Sequence, residues 1–449
     1  MHLIIIGGGE VGHALARALS DAHDVVVIDH DPTVGERFSS LDVEFLHGSG
    51  TSTAMLRRAG IERCDLLVGC TGLDEVNVVA CALANRVGSP KTICLVSKED
   101  FLQPDGGGDL LREQFGIDRI LWPEAQLADD IVRVIKAPGA IDAEAFLGDR
   151  VRLLEYRLEA GSSLARGPLA TLKLPPGALA VAVKRGEEFL IPRGKTQLAA
   201  GDKVFFMGTH EAMHEVQSRV VAARESRARQ VVTIIGGGDV GFRVAQQLDR
   251  SPDIELRVIE SNPKRGEMLA ASLSRALVLQ GDGTDLALLE AEEIGRSDVL
   301  VSVIDNDERN LFASLLGRQL GVRKIITRVS KPGSLRLFER VGIDVPLSAR
   351  GAAVASIVHG VAGGPSNLLA VLEEGQAEIL EIKVPAGYTP TPLLKLQAPP
   401  DSIVGAILRG DQVIVPHGSD VIQGEDTLLV FTTAASTPQV RDFFQPWSG

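Results

Sequence analysis

Two glycine-rich turns are the residues best suited to bind a ligand. One runs from Gly7 to Gly12 and the other from Gly236 to Gly241, both spaced G-x-G-x-x-G. An apolar run precedes each turn and a helical pattern follows it. In that setting the first glycine permits a tight turn, the second admits a pyrophosphate, and the third lets the helix pack on the strand. The helix N-terminus then offers free N–H groups to the phosphates. The pair of turns predicts two nucleotide sites.

An acidic residue ends the second strand of each copy. Asp29 has this place in the first copy and Glu260 in the second. A carboxylate there accepts hydrogen bonds from ribose hydroxyls and repels a 2′-phosphate, which favours NAD(H) over NADP(H). The alternative is an acid that meets only solvent.

Further candidate residues follow the fourth and fifth strands. Thr71-Gly72 and Ile304-Asp305 come after the fourth strands, and ligands of doubly wound sheets bind at the carboxyl ends of strands. Arg328 ends the fifth strand of the second copy, where a guanidinium can bind a phosphate through two hydrogen bonds. Its counterpart is Leu95, so we expect the two sites to differ.

Two further pairs of matched residues leave alternatives open. The turns Gly48-x-Gly50 and Gly281-x-Gly283 follow the third strands, and they either border the adenine or hold a positive φ. Asn77 and Asn310 come at the start of the next helices, where helix capping is the simplest interpretation.

The residue pattern does not predict catalysis. No histidine recurs at the same place in both copies, and no tyrosine lies in either nucleotide-binding copy. The sequence has no nucleophile elbow and no metal-ligand spacing. The four cysteines form no C-x-x-C pair and are predicted to be buried small hydrophobes. We therefore predict a protein that is not an enzyme, with no catalytic residue and no metal site.

Short apolar runs alternate with helical patterns such as Val11–Leu19 in both copies. The predicted strands of the first copy are Leu3–Ile6, Val25–Ile28, Leu66–Val68 and Ile93–Val96. Those of the second are Ile234–Ile235, Leu256–Ile259, Val299–Val303 and Ile325–Val329. The alternation predicts an α/β fold with two tandem Rossmann-like domains, each a doubly wound parallel sheet.

The duplication extends beyond the glycine turns. His47–Thr51 returns as Gln280–Thr284, and Asp74–Asn77 returns as Asp307–Asn310, in one register. Short β-runs interrupted by Gly and Pro follow each copy and predict a small β-rich α+β domain. A polar linker is expected near 223–230. The predicted domains are 1–140 and 230–362 for nucleotide binding, with 141–225 and 363–449 as the small domains.

The bulk composition narrows the function classes. The chain has 449 residues and a formal net charge of −13, which disfavours nucleic acid as a partner because phosphate binding needs a basic face. No apolar run is long enough to predict a membrane span. The N-terminus lacks the basic segment and cleavage site of a signal peptide. We expect a cytoplasmic protein.

The two motif sets resemble one known family. IIIGGGEVG, Asp29, HGSGT and DEVN in the first copy, with IIGGGDVG, Glu260, QGDGT and DERN in the second, resemble the TrkA family of potassium uptake proteins. Its members carry two RCK (KTN) units, each a Rossmann part followed by a small C-terminal domain. The resemblance covers essentially the whole chain. Residues 123–140 are similar to the family's crossover helix, which packs on a neighbouring unit.

The resemblance implies a regulatory subunit. Such proteins form a ring below a membrane-embedded potassium-translocating subunit of the Trk or Ktr type, and NAD⁺/NADH or, in some members, ATP/ADP changes the ring and gates the pore. It implies a homotetramer with eight RCK units, peripheral on the inner face of the cell membrane. In the first copy the implied ligand contacts are Gly7, Gly8, Gly9, Glu10, Val11, Gly12, Asp29, Thr71 and Gly72. In the second copy they are Gly236, Gly237, Gly238, Asp239, Val240, Gly241, Glu260, Ile304, Asp305 and Arg328.

Two other functions stay open at this stage. An NAD-dependent oxidoreductase would turn over a nicotinamide cofactor with a small substrate. A soluble nucleotide-sensing scaffold would bind a ligand without any transporter. Turnover of the nicotinamide cofactor would distinguish the oxidoreductase from a regulatory subunit. An effect of the protein on ion flux would distinguish the regulatory subunit from the scaffold.

Overall fold

A computed structural model describes residues 1–98, 101, 110–137, 139–148, 150–158, 162–165, 167–172, 174–186, 188–220, 229–361, 366–372 and 376–444. Most of the expected linker at 223–230 lies outside these ranges. The chain divides into two compact units, one formed by Met1–Asp129 with Val231–Val361 and the other by Asp130–Gln230 with Ala362–Gly449. The first unit therefore contains both glycine-turn copies, and the second contains both small domains.

The first copy forms a six-stranded parallel sheet. Its strands are β1 His2–Ile6, β2 Asp24–Asp29, β3 Val43–His47, β4 Leu66–Gly69, β5 Lys91–Leu95 and β6 Arg119–Leu121. They lie in the order β3-β2-β1-β4-β5-β6. Along β1, Ile4 and Ile6 enter one hydrophobic core while Leu3 and Ile5 enter another. Burial on both faces explains the continuous apolar sequence of this strand.

The described residues of the first copy also form the α-helices α1 Glu10–Leu19, α2 Thr53–Arg58, α3 Asp74–Val87 and α4 Pro123–Lys136. The first small domain then has an antiparallel sheet in the order β10-β9-β11-β8-β7. Its elements are β7 Asp142–Phe146, β8 Val151–Arg157, β9 Ala178–Arg185, β10 Glu188–Leu190, β11 Lys203–Thr209 and α5 His210–Val220.

The second copy repeats the parallel sheet, in the order β14-β13-β12-β15-β16-β17. Its strands are β12 Gln230–Ile235, β13 Ile254–Glu260, β14 Leu277–Gln280, β15 Val299–Ser302, β16 Lys324–Arg328 and β17 Val345–Leu347. Its helices are α6 Asp239–Asp249, α7 Pro263–Ser272, α8 Leu286–Ala291, α9 Asp307–Leu320, α10 Leu335–Arg340 and α11 Ala349–Val361. The predicted pair of Rossmann-like parallel sheets is confirmed.

The second small domain has a five-stranded antiparallel sheet in the order β18-β19-β24-β21-β22 and a two-stranded sheet, β20-β23. Its elements are β18 Ser366–Leu372, β19 Ala377–Lys383, β20 Thr391–Pro392, β21 Ser402–Arg409, β22 Gln412–Ile414, β23 Val421–Ile422, β24 Thr427–Thr433 and α12 Thr437–Phe444. The two small domains share one core, in which the rings of Phe189 and Phe431 stack with centroids 6.1 Å apart.

The two nucleotide-binding copies pack on each other through their last helices. Ala353 and Ile357 of α11 are fully buried in the core that contains Leu15 of α1. The last helix of the first copy likewise contacts the second copy, since Asp129 of α4 accepts a hydrogen bond from the side chain of Gln247 on α6 at 2.6 Å. The crossover helix expected at 123–140 therefore corresponds to α4, and it contacts the second copy. No helix of the described residues is long and apolar enough to cross a membrane.

Candidate functional site

Two of the three glycines in each turn are required by the fold itself. Gly7 has a φ of +110° and Gly236 a φ of +102°, in the left-handed region that favours glycine. A Cβ on Gly12 would lie 1.8 Å from the carbonyl oxygen of Gly7, and a Cβ on Gly241 would lie 1.9 Å from that of Gly236. The tight turn and the close packing of the helix on the turn explain these four glycines.

Nothing in the described part of the chain gives the middle glycine of each turn such an explanation. Gly9 has a φ of −67° and Gly238 a φ of −63°, which any residue adopts. No heavy atom of the surrounding described residues lies within 4 Å of the position that a Cβ would take on either one. Helices α1 and α6 begin at the next residue, with backbone N–H groups that lack helical partners. The turn therefore leaves open space beside two anion-binding helix ends.

The strand-end acids hold the glycine turns in place. Asp29 accepts a hydrogen bond from the N–H of Gly8 at 2.6 Å, and its other oxygen accepts one from the backbone N–H two residues further on at 2.9 Å. Glu260 accepts the same two bonds, from Gly237 and the residue two further on, both at 2.7 Å. The alternative of an acid that meets only solvent is wrong. Ribose recognition stays a prediction, and it would use the remaining lone pairs of each carboxylate.

Asn77 and its counterpart clamp the loop after the fourth strand to the fifth strand. Helix α3 begins three residues before Asn77, so the capping interpretation is wrong. The side-chain oxygen of Asn77 accepts a hydrogen bond from the N–H of Thr71 at 2.8 Å, and its amide donates to the carbonyl of Leu95 at 3.0 Å. The second copy repeats these two bonds with Asn310, Ile304 and Arg328.

The glycines after the third strand are packing positions. Neither Gly48 nor Gly50 has a positive φ, and the same holds for their counterparts, so that interpretation is wrong. A Cβ on Gly48 would lie 2.2 Å from the Met55 side chain, and a Cβ on Gly50 would lie 2.1 Å from that of Ile6. Close contact with neighbouring side chains explains both glycines. The corresponding Gly281 and Gly283 also line the cavity of the second copy.

A cavity of about 660 Å³ opens at the glycine turn of the second copy. Its volume lies within the range of small-molecule and cofactor sites. Eight of the ten predicted second-copy residues line it: Gly236, Gly238, Asp239, Val240, Glu260, Ile304, Asp305 and Arg328. Gly237 and Gly241 belong to the same turn but are absent from the lining.

The predicted residues of the first copy also meet at one place. The Gly7–Gly12 turn contacts Asp29 through the bond described above, and a Cβ on Gly7 would lie 2.9 Å from the backbone nitrogen of Thr71. Gly72, like Gly9 and Glu10, is exposed to solvent. The turn, the acid and the loop after β4 therefore lie together, as the sequence predicts.

Sequence reasoning missed that the second cavity is built from both copies. Ser97, Lys98 and Glu124 of the first copy line it. Asp74 holds the Ser97-Lys98 segment, because its carboxylate accepts hydrogen bonds from both backbone N–H groups, at 2.9 and 3.2 Å. The recurrence of Val-Ser-Lys after the fifth strand of each copy was a signal for this segment. Arg265 and Arg309 of the second copy were also missed.

The carboxyl of Glu124, which lines the cavity, has a shifted pKa. Burial raises the pKa of its carboxyl above the ordinary value, the charge of Arg328 opposes the rise, and Asp239 and Asp74 add to it. The Glu124 Oε2 atom is buried without a hydrogen-bond partner among the described residues. The cavity therefore holds a carboxyl group that takes up a proton more readily than an exposed glutamate.

Among the described residues no cluster of His, Cys, Asp and Glu is arranged to hold a metal ion. All four cysteines are buried with free thiols, as predicted. Burial raises the pKa of the Cys64 thiol to about 12, so this side chain stays an uncharged thiol at neutral pH.

Comparison with protein families identifies the domains. The TrkA-N domain matches residues 3–123 and 232–349, and the TrkA-C domain matches residues 153–220 and 381–445. The chain belongs to the TrkA family. Among TrkA relatives, the Trk system potassium uptake protein TrkA homolog 1 of Methanosarcina mazei is 36% identical, over 99% of this chain and 100% of its own length. The homologue from Archaeoglobus fulgidus is 33% identical over the same shares, and TrkA of Halomonas elongata is 31% identical over 96% and 95%.

Solved structures support the same fold. The crystal structure of the GsuK RCK domain is similar with a TM-score of 0.60 and 17% identity, covering 99% of this TrkA-family chain and 95% of that chain. The GsuK channel bound to NAD gives a TM-score of 0.60 at 17% identity, covering 99% and 79%.

Proposed function

We propose that this chain is a cytoplasmic, nucleotide-binding regulatory subunit that gates a membrane potassium uptake transporter. Family membership along nearly the whole chain supports the link to potassium uptake, because the relatives carry that name. The four domains are proposed as 1–140, 141–225, 230–362 and 363–449. The duplicated glycine turns supply the nucleotide sites.

The observation that carries the proposal is the pair Gly9 and Gly238. Both have ordinary backbone angles and open space where a Cβ would stand. A glycine that neither the backbone nor the packing requires is explained by a ligand that comes close to the main chain. The proposed contacts of that ligand are the residues that the family resemblance implies.

The proposed ligands are NAD⁺ and NADH, with ATP and ADP as further candidates. The strand-end acids support a dinucleotide, since a carboxylate there binds ribose hydroxyls. The similar GsuK channel is named as bound to NAD, which supports the same ligand class here. We propose that binding is not followed by turnover.

The gating step is proposed to be a population shift. The second cavity is lined by residues of both copies, so a ligand in it contacts two domains at once. A ligand that binds one arrangement of the copies more tightly favours that arrangement, with a coupling of about 1–3 kcal/mol between sites. We propose that the chain forms a homotetramer with eight such domains below the membrane-embedded subunit. The coupling free energies of the occupied sites then add, and together they favour one arrangement of the whole assembly. Exposed apolar side chains on α3 and α9, such as Val79 and Phe312, support self-association.

Potassium flux tests the proposal. The partner transporter is reconstituted in liposomes, and flux is measured with and without the chain while NADH and ATP are titrated. We expect the chain to change the flux and each nucleotide to change it further. A chain that carries both Gly9→Val and Gly238→Val should still bind the transporter but lose the nucleotide response. Flux that ignores the chain and both nucleotides would contradict the proposal, and nicotinamide turnover would favour an oxidoreductase.

A further inference from the structure

Three arginines line the cavity of the second copy, and each forms an ion pair with an aspartate. We call Arg265, Arg309 and Arg328 the arginine triad. The pairs are Arg265–Asp239 at 3.0 Å, Arg309–Asp282 at 2.7 Å and Arg328–Asp305 at 3.0 Å. Three guanidinium groups in one cavity of nucleotide size form a strong anion site, because each can bind a phosphate through paired hydrogen bonds.

The first copy has an aliphatic residue at each matching position. The counterparts of the triad are Val34, Val76 and Leu95. The counterparts of its aspartates are Glu10, Ser49 and Gly72. The structure supports the first match, because Val34 packs where a Cβ on Gly8 would stand, and Arg265 donates a hydrogen bond to the carbonyl of Gly237 at 2.8 Å. The two sites therefore differ by three cations at equivalent places.

The aspartates are positioned to release the triad. The side chains of Asp239, Asp282 and Asp305 are 67%, 49% and 89% exposed, whereas that of Arg328 is 18% exposed. An ion pair with so exposed a carboxylate contributes little stability, since water solvates the released acid. A phosphate can therefore take the place of the aspartate at small cost.

A fourth cation comes from the other copy. Lys98 lines the same cavity, and its amine lies 3.0 Å from the carboxylate of Glu75 on the first copy. Two further acids line the cavity: Glu260, which accepts the backbone N–H groups of the glycine turn, and Glu124, which is partly buried. The cavity thus offers four cations to a ligand, and each of them is paired with an exposed carboxylate that a phosphate can replace.

We propose that the second site takes a nucleoside di- or triphosphate, and that the first site takes a less charged dinucleotide. The triad binds the terminal phosphates that a dinucleotide lacks. This inference rests on the proposed function, and it assigns different ligand classes to the two sites of that sensor.

The test uses full-length chains that keep one site each. Gly9→Val closes the first site and leaves the second, whereas Gly238→Val does the reverse. Calorimetric titration of the Gly9→Val chain with ATP and with NAD⁺ should give at least about tenfold tighter binding of ATP. Adding Arg265→Val, Arg309→Val and Arg328→Leu makes the second site resemble the first. This change should weaken ATP binding by about a hundredfold or more while changing NAD⁺ binding less, because ATP also loses the charge-assisted hydrogen bonds to its terminal phosphates.

Two controls separate the role of the triad from a folding defect. Arg296→Val removes an exposed ion pair with Glu293 elsewhere in the same domain, and it should leave both affinities unchanged. In the Gly238→Val chain, Val76→Arg with Ser49→Asp installs the counterpart of the Arg309–Asp282 pair at half-buried and exposed positions of the first site, and it should strengthen ATP binding there. ATP binding no tighter than that of NAD⁺ in the Gly9→Val chain, or unaffected by loss of the triad, would overturn the inference but leave the proposed function intact. A wild-type chain that binds neither nucleotide would instead contradict the proposed function.

Discussion

The Glu260 carboxylate accepts a hydrogen bond from the backbone N–H of Gly237 at 2.7 Å, so the strand-end acid and the glycine turn of the second copy form one hydrogen-bonded unit. The bond from Gly8 to Asp29 repeats this at 2.6 Å. A carboxylate that binds the turn holds its shape before a ligand arrives, which reduces the ordering cost of binding. Turn geometry and nucleotide affinity therefore depend on the same acid.

Glu260→Gln tests this dependence. The amide keeps the size of the side chain but has one acceptor oxygen for the two N–H groups that Glu260 binds. We expect a loss of about 1–3 kcal/mol in the free energy of unfolding, because a part-buried donor loses its partner. Nucleotide affinity should fall about tenfold or more. Urea unfolding and calorimetry measure both. Glu290→Gln, on the exposed face of α8, is the control, and a Glu260→Gln chain that matches it contradicts the prediction.

Two alanine substitutions in the first glycine turn should affect different properties, one the stability of the chain and the other its nucleotide binding. Gly12→Ala places a Cβ 1.8 Å from the Gly7 carbonyl oxygen, and we expect it to cost about 3 kcal/mol of stability through overpacking. Gly9→Ala meets open space, so its effect on stability should stay within about 0.5 kcal/mol. It should nevertheless weaken nucleotide binding to the first site. Thermal melting and nucleotide titration decide the matter, and a Gly9→Ala chain with unchanged affinity would show that no phosphate approaches this turn.

The sheets and the glycine turns could be predicted because their signals are local. The apolar run Leu3–Ile6 shows burial on both faces, and β1 is found at His2–Ile6. Asp29 ends β2 as expected. Such features depend on neighbours in the sequence, and the duplication gave each one a second, independent instance.

The parts that sequence reasoning missed depend on contacts between distant residues. The place of Asn77 along the sequence suggests a helix cap as the simplest interpretation, but its amide bridges Thr71 and Leu95, which adjoin only when β4 and β5 pair. Lys98 and Glu124 reach the second cavity only because the copies pack on each other. The residue pattern of one segment does not predict how that segment packs on a distant one.

Asp202 should make the first small domain sensitive to acid. Arg185 donates two hydrogen bonds to its carboxylate, at 2.8 and 2.7 Å. These bonds, against the opposing effect of burial, lower the pKa of Asp202, and the N–H of Ala199 adds to the shift. A lowered folded-state pKa contributes stability that is present above the ordinary aspartate pKa of about 4 and is lost as pH falls through the folded value.

Asp202→Asn should therefore destabilise this domain by about 1–3 kcal/mol at neutral pH, since the bonds to a charged acceptor are lost. The difference from the wild type should shrink as pH falls below about 4. Urea unfolding across that pH range measures it, with Glu211→Gln on the exposed face of α5 as the control. A difference that stays constant with pH would show that Asp202 contributes through packing rather than charge.

Glu124 should make nucleotide binding to the second site depend on pH. Burial raises the pKa of its carboxyl, and phosphates in the cavity would raise it further because they repel the charged form. Binding then takes up a proton, so affinity should increase as pH falls through the titration of Glu124. The experiment measures NAD⁺ and ATP affinity between about pH 5 and 8 in the Gly9→Val chain. Glu124→Gln, which mimics the protonated acid, should bind more tightly at pH 8 and respond less to pH. Because the titration of the ligand itself is common to both chains, their difference isolates Glu124. Parallel pH profiles would mean that this carboxyl does not face the bound phosphates.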